Sequence, residues 1–365
     1  MSRARDFADL AGSADAGGIT GKNLIINGAM TVNQRGDKTG MTGDDYQIDR
    51  FKFGIGSLGT WSSSQSTTAP DGFGYSLKLD CTTADASPAA SDTLYLYTRF
   101  EGQNLQQIKK GTASAKSLTL SFWCRCNKTG DIQVNLRDAN NTRQVGATVT
   151  INSADTWEYK TITFPPDTTG AFTNDNNWSM SVEWWLDSGS DFKGGAVPTA
   201  WEAAVNTDRA VAETLALGDN TSNEFYITGI QLEVGEQATP FEHRSFGDEL
   251  RRCQRYYEHS YPYGTAAGAS NGGVGAMHLH AGASRASGYG FVTTRYTVQK
   301  RAGATVTIYS YGGTSGQMSN GDSGADIGAV DVIQNGTTSF LVRNNSGGTF
   351  SEQPIIFHYR GDAEL

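Results

Sequence analysis

No apolar run in this chain approaches the roughly 18 residues of a membrane span; the best are Leu24–Ile26 and Pro354–Phe357. Arg3 and Arg5 near the start are followed by no apolar stretch, so no secretory leader is expected. Basic charge is also scarce. Against 38 Asp and Glu stand 29 Lys and Arg, a net charge of −9, and a nucleic-acid binder needs the basic face that is missing. Cysteine is down to four residues, too few for a disulfide framework, and this points to synthesis in a reducing cytoplasm. Cys124 and Cys126 flank Arg125 on a strand-like stretch and read as buried free thiols before they read as metal ligands. Aromatics at 10 % exclude a disordered chain, and the 44 glycines have no three-residue period, which excludes collagen.

What is present is unevenly spread. All seven tryptophans precede residue 202 and all five histidines follow residue 242. That division, in a chain long enough for about two domains, predicts two β domains of different character. Residues 2–11 predict a short helix with Ala4, Phe7, Ala8 and Ala11 on one stripe, Leu10 beside it, and a Gly/Ala/Ser linker behind it. About three turns cannot hold such a helix in water alone, so residues 1–22 are expected to attach the chain to something else, through Arg3, Arg5, Phe7 and Leu10.

From Asn23 to about Arg244 the period is two. Tyr75–Leu79, Leu118–Cys124, Ile132–Leu136, Tyr159–Phe164, Trp178–Val182 and Phe225–Leu232 all alternate, and turn residues separate them. Residues 23–245 are therefore expected to form an antiparallel β-sandwich. Ser245–Asp248 fits a capping box, and Phe246, Leu250, Cys253 and Tyr257 follow at helical spacing, predicting a helix over 246–258 within a connector, 246–262. Gly290–Val298, Ala304–Tyr311, Ala329–Ile333, Ser339–Val342 and Pro354–Tyr359 predict a smaller β domain over 263–365.

Three segments carry a family likeness: Asn23–Gly36 with Tyr46–Phe51, Ile227–Tyr257, and His358–Leu365. Together with the Ser2–Leu10 opening, they resemble tail-fibre and related appendage proteins of tailed bacteriophages. The resemblance implies a virion structural protein, a symmetric oligomer, and a jelly-roll sandwich similar to carbohydrate-binding modules. It implies a non-enzymatic tail fibre that attaches to a bacterial surface glycan, made in the host cytoplasm and joined to other virion proteins through its N-terminus. A capsid decoration protein or head fibre is the alternative, with a polysaccharide-degrading enzyme behind it. The unpartnered N-terminal stripe and the tryptophan surplus add a homotrimer to these expectations.

Glycan binding requires aromatic faces beside hydrogen-bonding side chains. Trp178, Trp184, Trp185 and Asp187, near Asn176 and Asn177, form one candidate group. Trp184 and Trp185 are adjacent on a strand, so at most one is expected in the core, the other facing solvent or a neighbouring subunit unless loops cover it. Tyr309, Tyr311 and Arg343 form the other, in the region expected to be the host-binding tip. His278 and His280 share a strand face; around a threefold axis three copies would offer six nitrogens to a metal. No cofactor is implied. The carboxylates Asp44, Asp45, Glu183, Glu233 and Glu236 have no spacing that fixes acid–base geometry, and no nucleophile-elbow, P-loop or HExxH motif occurs, so no catalytic residue is expected. Arg35-Gly-Asp37 and Arg360-Gly-Asp362 match an adhesion tripeptide at chance level.

Overall fold

A computed structural model describes residues 21–280, 291–344 and 354–365. The predicted N-terminal helix, with Arg3, Arg5, Phe7 and Leu10, lies outside the described residues. The chain divides into two compact units, one built mainly from residues 37–246 and the other from 247–364 with Val32–Gly36.

The first unit is the expected antiparallel sandwich. Its strands are β1 (Lys38–Met41), β2 (Asp45–Ile48), β3 (Phe51–Gly56), β4 (Thr60–Ser66), β5 (Ser76–Thr83), β6 (Thr93–Glu101) and β7 (Leu118–Cys126). They continue with β8 (Gly130–Asp138), β9 (Arg143–Ile151), β10 (Glu158–Phe164), β11 (Trp178–Ser188), β12 (Glu202–Ala203) and β13 (Glu224–Val234). A six-stranded sheet runs β1-β4-β5-β13-β7-β10, and a seven-stranded sheet runs β12-β9-β8-β11-β6-β3-β2. These strands pair antiparallel, and strands distant in sequence lie side by side, as in a jelly roll.

Period-two patterning decides what lies inside. From β7, Leu118, Leu120, Phe122, Cys124 and Cys126 enter the core; from β11, Met180, Val182, Trp184 and Leu186 do. The four cysteines are free and buried, and burial pushes the Cys124 thiol up to about 12, leaving it protonated and unreactive.

In β13 the phase changes. Phe225 and Ile227 point inward, and then so do Ile230 and Leu232, because a bulge between Thr228 and Gln231 inserts one residue. Gly229 sits in the bulge at φ +62°, a conformation that disfavours side chains.

Two buried ion clusters accompany this core. The Lys110 ammonium lies among Asp138 Oδ2 (2.6 Å), Asp167 Oδ2 (2.9 Å) and the carbonyl oxygens of Thr169 and Gly170 (both 2.8 Å). Arg143 clamps the same Asp167 at 2.7 and 3.2 Å. Burial alone would raise the Asp167 carboxyl, but the bonds from Arg143 and Lys110 hold it below its ordinary range. The second cluster, around Glu183, belongs to the candidate site.

The second unit opens with helix α1 (Phe246–Gln254), which has Asp248 and Glu249 in its first turn and Arg251 and Arg252 in its last, matching the helix dipole. The helix is shorter than its periodicity predicts. Tyr256 N bonds back three residues to Cys253 O, and Tyr257 then enters a strand paired with Asp362. Sheet pairing outcompetes the helical spacing there.

Strands β14 (Tyr257–His259), β15 (Met277–His280), β16 (Phe291–Arg295), β17 (Thr305–Tyr309), β18 (Gln317–Asn320), β19 (Asp326–Ile333), β20 (Ser339–Asn344) and β21 (Pro354–Asp362) make one sheet. β21 is its hub, bonding to β14, β15, β17 and β18. Met318, Phe340, Val342, Ile355, Phe357 and Tyr359 form the core of this unit. Against it Lys300 donates to Glu258 Oε2 at 2.6 Å, and Tyr359 Oη donates to Glu258 Oε1 at 2.7 Å.

Candidate functional site

The outward face of the seven-stranded sheet carries the first predicted group. Alternation sends Tyr95 and Tyr97 of β6, Glu183 and Trp185 of β11, and Gln133 and Asn135 of β8 away from the core. This face is polar and aromatic, but it is covered by the chain's own segment 189–217. Gln133 Nε2 donates to Asp208 O (2.6 Å) and Asn135 Nδ2 to Arg209 O (2.7 Å), tying that segment down. The Arg209 guanidinium lies 4.6 Å from the Trp185 ring centroid and bonds Glu183 Oε2 at 2.8 Å; Trp185 Nε1 donates to the same oxygen at 3.2 Å. Tyr95 stacks on Trp185 at 4.6 Å, nearly parallel. Burial pushes the Glu183 carboxyl up and Arg209 more than reverses it, so the carboxylate stays ionised.

This corrects the expectation for the tryptophan pair. Trp184 and Trp185 are both fully buried, one in the core and the other under the covering segment, so neither offers a face to a sugar. Asp187 is engaged as well. It is buried, and its carboxylate accepts from the backbone N–H groups of Gly218 and Ser188. Trp178 stays half-buried, with the Arg99 guanidinium 4.0 Å over its ring.

The second group is also largely covered. Tyr309 is buried and meets Tyr261 edge-on, with Gly268 against its ring; Tyr311 is half-buried with Gly273 beside it. A Cβ on Gly268 or Gly273 would come within 3.2 and 3.0 Å of those rings. Arg343 is ion-paired with Asp331 on the neighbouring strand β19. His278 is exposed and lies two residues from His280 in β15; among the described residues no cluster of three potential ligands forms. Arg35 of the first tripeptide pairs with Asp362 of the second, which keeps both from being presented as loops.

An open aromatic surface lies elsewhere, on the outward face of the six-stranded sheet. Trp123 of β7 stands opposite Tyr159 of β10 in the ladder, ring centroids 5.3 Å apart, and Tyr159 is 45 % exposed. On the other side of Trp123 lies Gly229. A Cβ there would come within 2.7 Å of the Phe73 ring and 3.0 Å of Trp123, so only the bare bulge lets those rings close over the backbone. Phe73 continues the row to Phe241 at 5.0 Å and to the exposed His243 at 5.3 Å. Nearby on the same face Tyr226 meets Trp157 at 6.2 Å, with the Arg125 and Lys78 cations 5.0 and 5.7 Å from its ring. Glu224 accepts from Tyr226 Oη and pairs with Lys78; burial raises its carboxyl, and those bonds bring it below the ordinary range. Tyr226 itself is buried, but the partly exposed rings of Trp123, Trp157, Tyr159, Phe73 and Phe241 beside Arg, Lys, Glu and His can stack on apolar sugar faces and bond the hydroxyls around them. This row is not among the groups expected from the sequence. Its signal is there, because Trp123, Tyr159 and Tyr226 fall on the polar phase of their strands, where burial in the core does not explain an aromatic ring.

No family model matches the sequence, and neither does any curated protein. Solved structures do, at low identity. One is a putative sugar-binding protein from Bacteroides thetaiotaomicron, 12 % identical over 58 % of this chain and 100 % of its own, at a TM-score of 0.33. Another is the family 11 carbohydrate-binding module of a Clostridium thermocellum cellulosomal cellulase, 12 % identical over 58 % and 99 %, at 0.28. A third is the enzymatically active domain of tailspike protein 4 of bacteriophage CBA120, 11 % identical over 58 % of this chain but 21 % of the tailspike's, at 0.29. The fold class of this chain, a β-rich jelly-roll sandwich, rests on its own two sheets and their strand order.

Proposed function

We propose that this chain is a non-enzymatic, glycan-binding structural protein of a bacteriophage virion appendage, and that it contacts sugar through the outward face of its six-stranded sheet. The row from His243 through Phe73 and Trp123 to Tyr159 carries this reading. It is an aromatic surface that neither the core nor the covering segment 189–217 takes up. The virion role rests on the segments 23–36, 227–257 and 358–365 and their likeness to phage appendage proteins, and a homotrimer attached through residues 1–22 belongs to the same reading.

A Trp123→Ala, Tyr159→Ala double variant tests it. Both rings lie outside the core, so the variant should keep the wild-type circular dichroism. On an array of bacterial surface glycans the wild type should bind a subset, and the variant should lose at least tenfold in affinity for it. Equal binding by both proteins would remove the row from the function. Immunogold labelling of intact particles reads whether the protein sits on tail, baseplate or head, and light scattering reads its oligomeric state.

A further inference from the structure

We propose that a cavity of about 390 Å³ between the 102–117 segment and the 165–173 turn is a binding site for a carboxylated sugar of the hexuronate type. It lies apart from the aromatic row and does not rest on it. Its volume falls near the lower end of the roughly 300–1,000 Å³ found for small-molecule sites, which suits one sugar ring.

The walls are preformed. Gly111 N donates to Asp167 O (2.9 Å), tying the first segment to the turn, while the bonds from Gln103 N to Asp175 O (2.8 Å) and from Gly102 N to Asn177 O (3.2 Å) tie it to the residues just after. Gly111, at φ +79°, lets the two backbones meet; a Cβ there would stand 2.5 Å from Ala171 N. Little ordering is left for a ligand to impose.

The floor is apolar, formed by buried Leu105 and Phe172. The rim is polar, with Thr112 and Ser114 on one loop and Gln106 on the turn beneath. Charge decides the ligand class. Of the two lysines on the lining, Lys110 is neutralised by Asp138 and Asp167. Lys109 is exposed, and no carboxylate pairs with it or lines the cavity among the described residues. Its backbone sits in the left-handed region (φ 53°, ψ 29°), which is uncommon for a residue with a Cβ, and Thr112 Oγ1 braces it by donating to Lys109 O at 2.7 Å. A surface lysine beside an apolar floor and a hydroxyl-bearing rim fits a pyranose whose carboxylate takes Lys109, whose apolar edge sits over the floor and whose hydroxyls meet Ser114 and Thr112.

Saturation-transfer NMR on the full chain tests this, with glucuronate as probe and glucose as its neutral control. Glucuronate should show transfer at neutral pH and glucose at least tenfold less, and the glucuronate signal should weaken several-fold as salt rises, because the lysine is at the surface. Lys109→Met should remove the signal and Lys109→Arg retain it. Ser114→Leu, which fills the cavity without touching charge, should remove it too, while Trp123→Ala should leave it intact. Absence of glucuronate transfer, equal transfer from glucose, a signal that survives both Lys109→Met and Ser114→Leu, or one that disappears with Trp123→Ala, would each overturn the assignment. Failure of the aromatic row in array binding would leave these readouts unaffected.

Discussion

The guanidinium carbon of Arg35 lies 3.8 Å from the ring centroid of Tyr257, and the same group ion-pairs with Asp362 at 3.3 Å and Glu364 at 3.1 Å. Arg35 is buried, and the short piece Val32–Gly36 around it belongs to the second unit, although most of its sequence neighbours build the first. Gln34 Nε2 adds a bond to Tyr257 O at 3.0 Å. Residues of all three family-like segments thus meet in one cluster of charge and ring.

Arg35→Met should therefore destabilise the second unit. Removing the guanidinium takes a cation from the buried Glu364 carboxylate and from Asp362, at a cost of about 3 kcal/mol. Urea unfolding should show an earlier transition in the second unit, read by trypsin cutting within residues 247–364, with the sandwich little changed.

Lys110→Met should be the more severe lesion in the sandwich. Asp138 and Asp167 are both buried and would lose the ammonium between them, at about 3–5 kcal/mol. The loss should shrink as pH falls through the range in which Asp167, held low by Arg143 and Lys110, takes up its proton. Thermal melts of variant and wild type at pH 4 and pH 7 check both the size and the trend.

Glu213 gives the covering segment a pH dependence of the opposite kind. Burial pushes its carboxyl up to about 7, despite an ion pair with Lys193 at 2.7 Å. The folded state holds this proton more tightly than the unfolded chain does, so its contribution to stability is lost as pH rises from about 4.5 to about 7. Glu213→Gln should flatten that loss and raise the melting temperature at pH 8 more than at pH 5.

His358 works the other way in the second unit. It is fully buried, stacked 3.9 Å from Tyr261, and its Nδ1 is 3.0 Å from Ser260 Oγ. Burial, with like charge from His259 and His278, pushes its imidazole down to about 4. The unfolded chain then binds the proton better, so stability falls as pH drops from about 6.5 to about 4, by roughly 3 kcal/mol in all. Chemical denaturation of His358→Asn across that range should show a shallower decline than the wild type.

Strand patterning is the most legible part of this chain. Leu118–Cys124, Tyr159–Phe164 and Phe225–Leu232 lie in β7, β10 and β13, where alternation is regular on a half-exposed sheet. Strands β1 to β4 leave little pattern because their sequences are short, Gly- and Ser-rich or interrupted, as in Thr60–Ser66. Trp185, left open between exposure and a covering loop, falls to the loop for a physical reason. Alternation fixes which face of a sheet a residue occupies, but not whether a distant segment such as 189–217 will cover that face. The phase change in β13 and the pairing of Arg35 with Asp362 are equally invisible, the first needing a bulge and the second a contact across 327 residues.

That separation sets a delay during synthesis. At roughly 5–20 residues per second, Arg35 leaves the ribosome about 15–65 seconds before Asp362 does. The sandwich strands are complete by Val234 and can close in that interval, while residues 32–36 wait for partners not yet made. A nascent chain arrested after Val234 has cleared the ribosome, but before β21 is made, should carry a protease-resistant sandwich with residues 32–36 still open to cleavage. The last strand, β21, would then act as the clasp whose arrival ends the exposure.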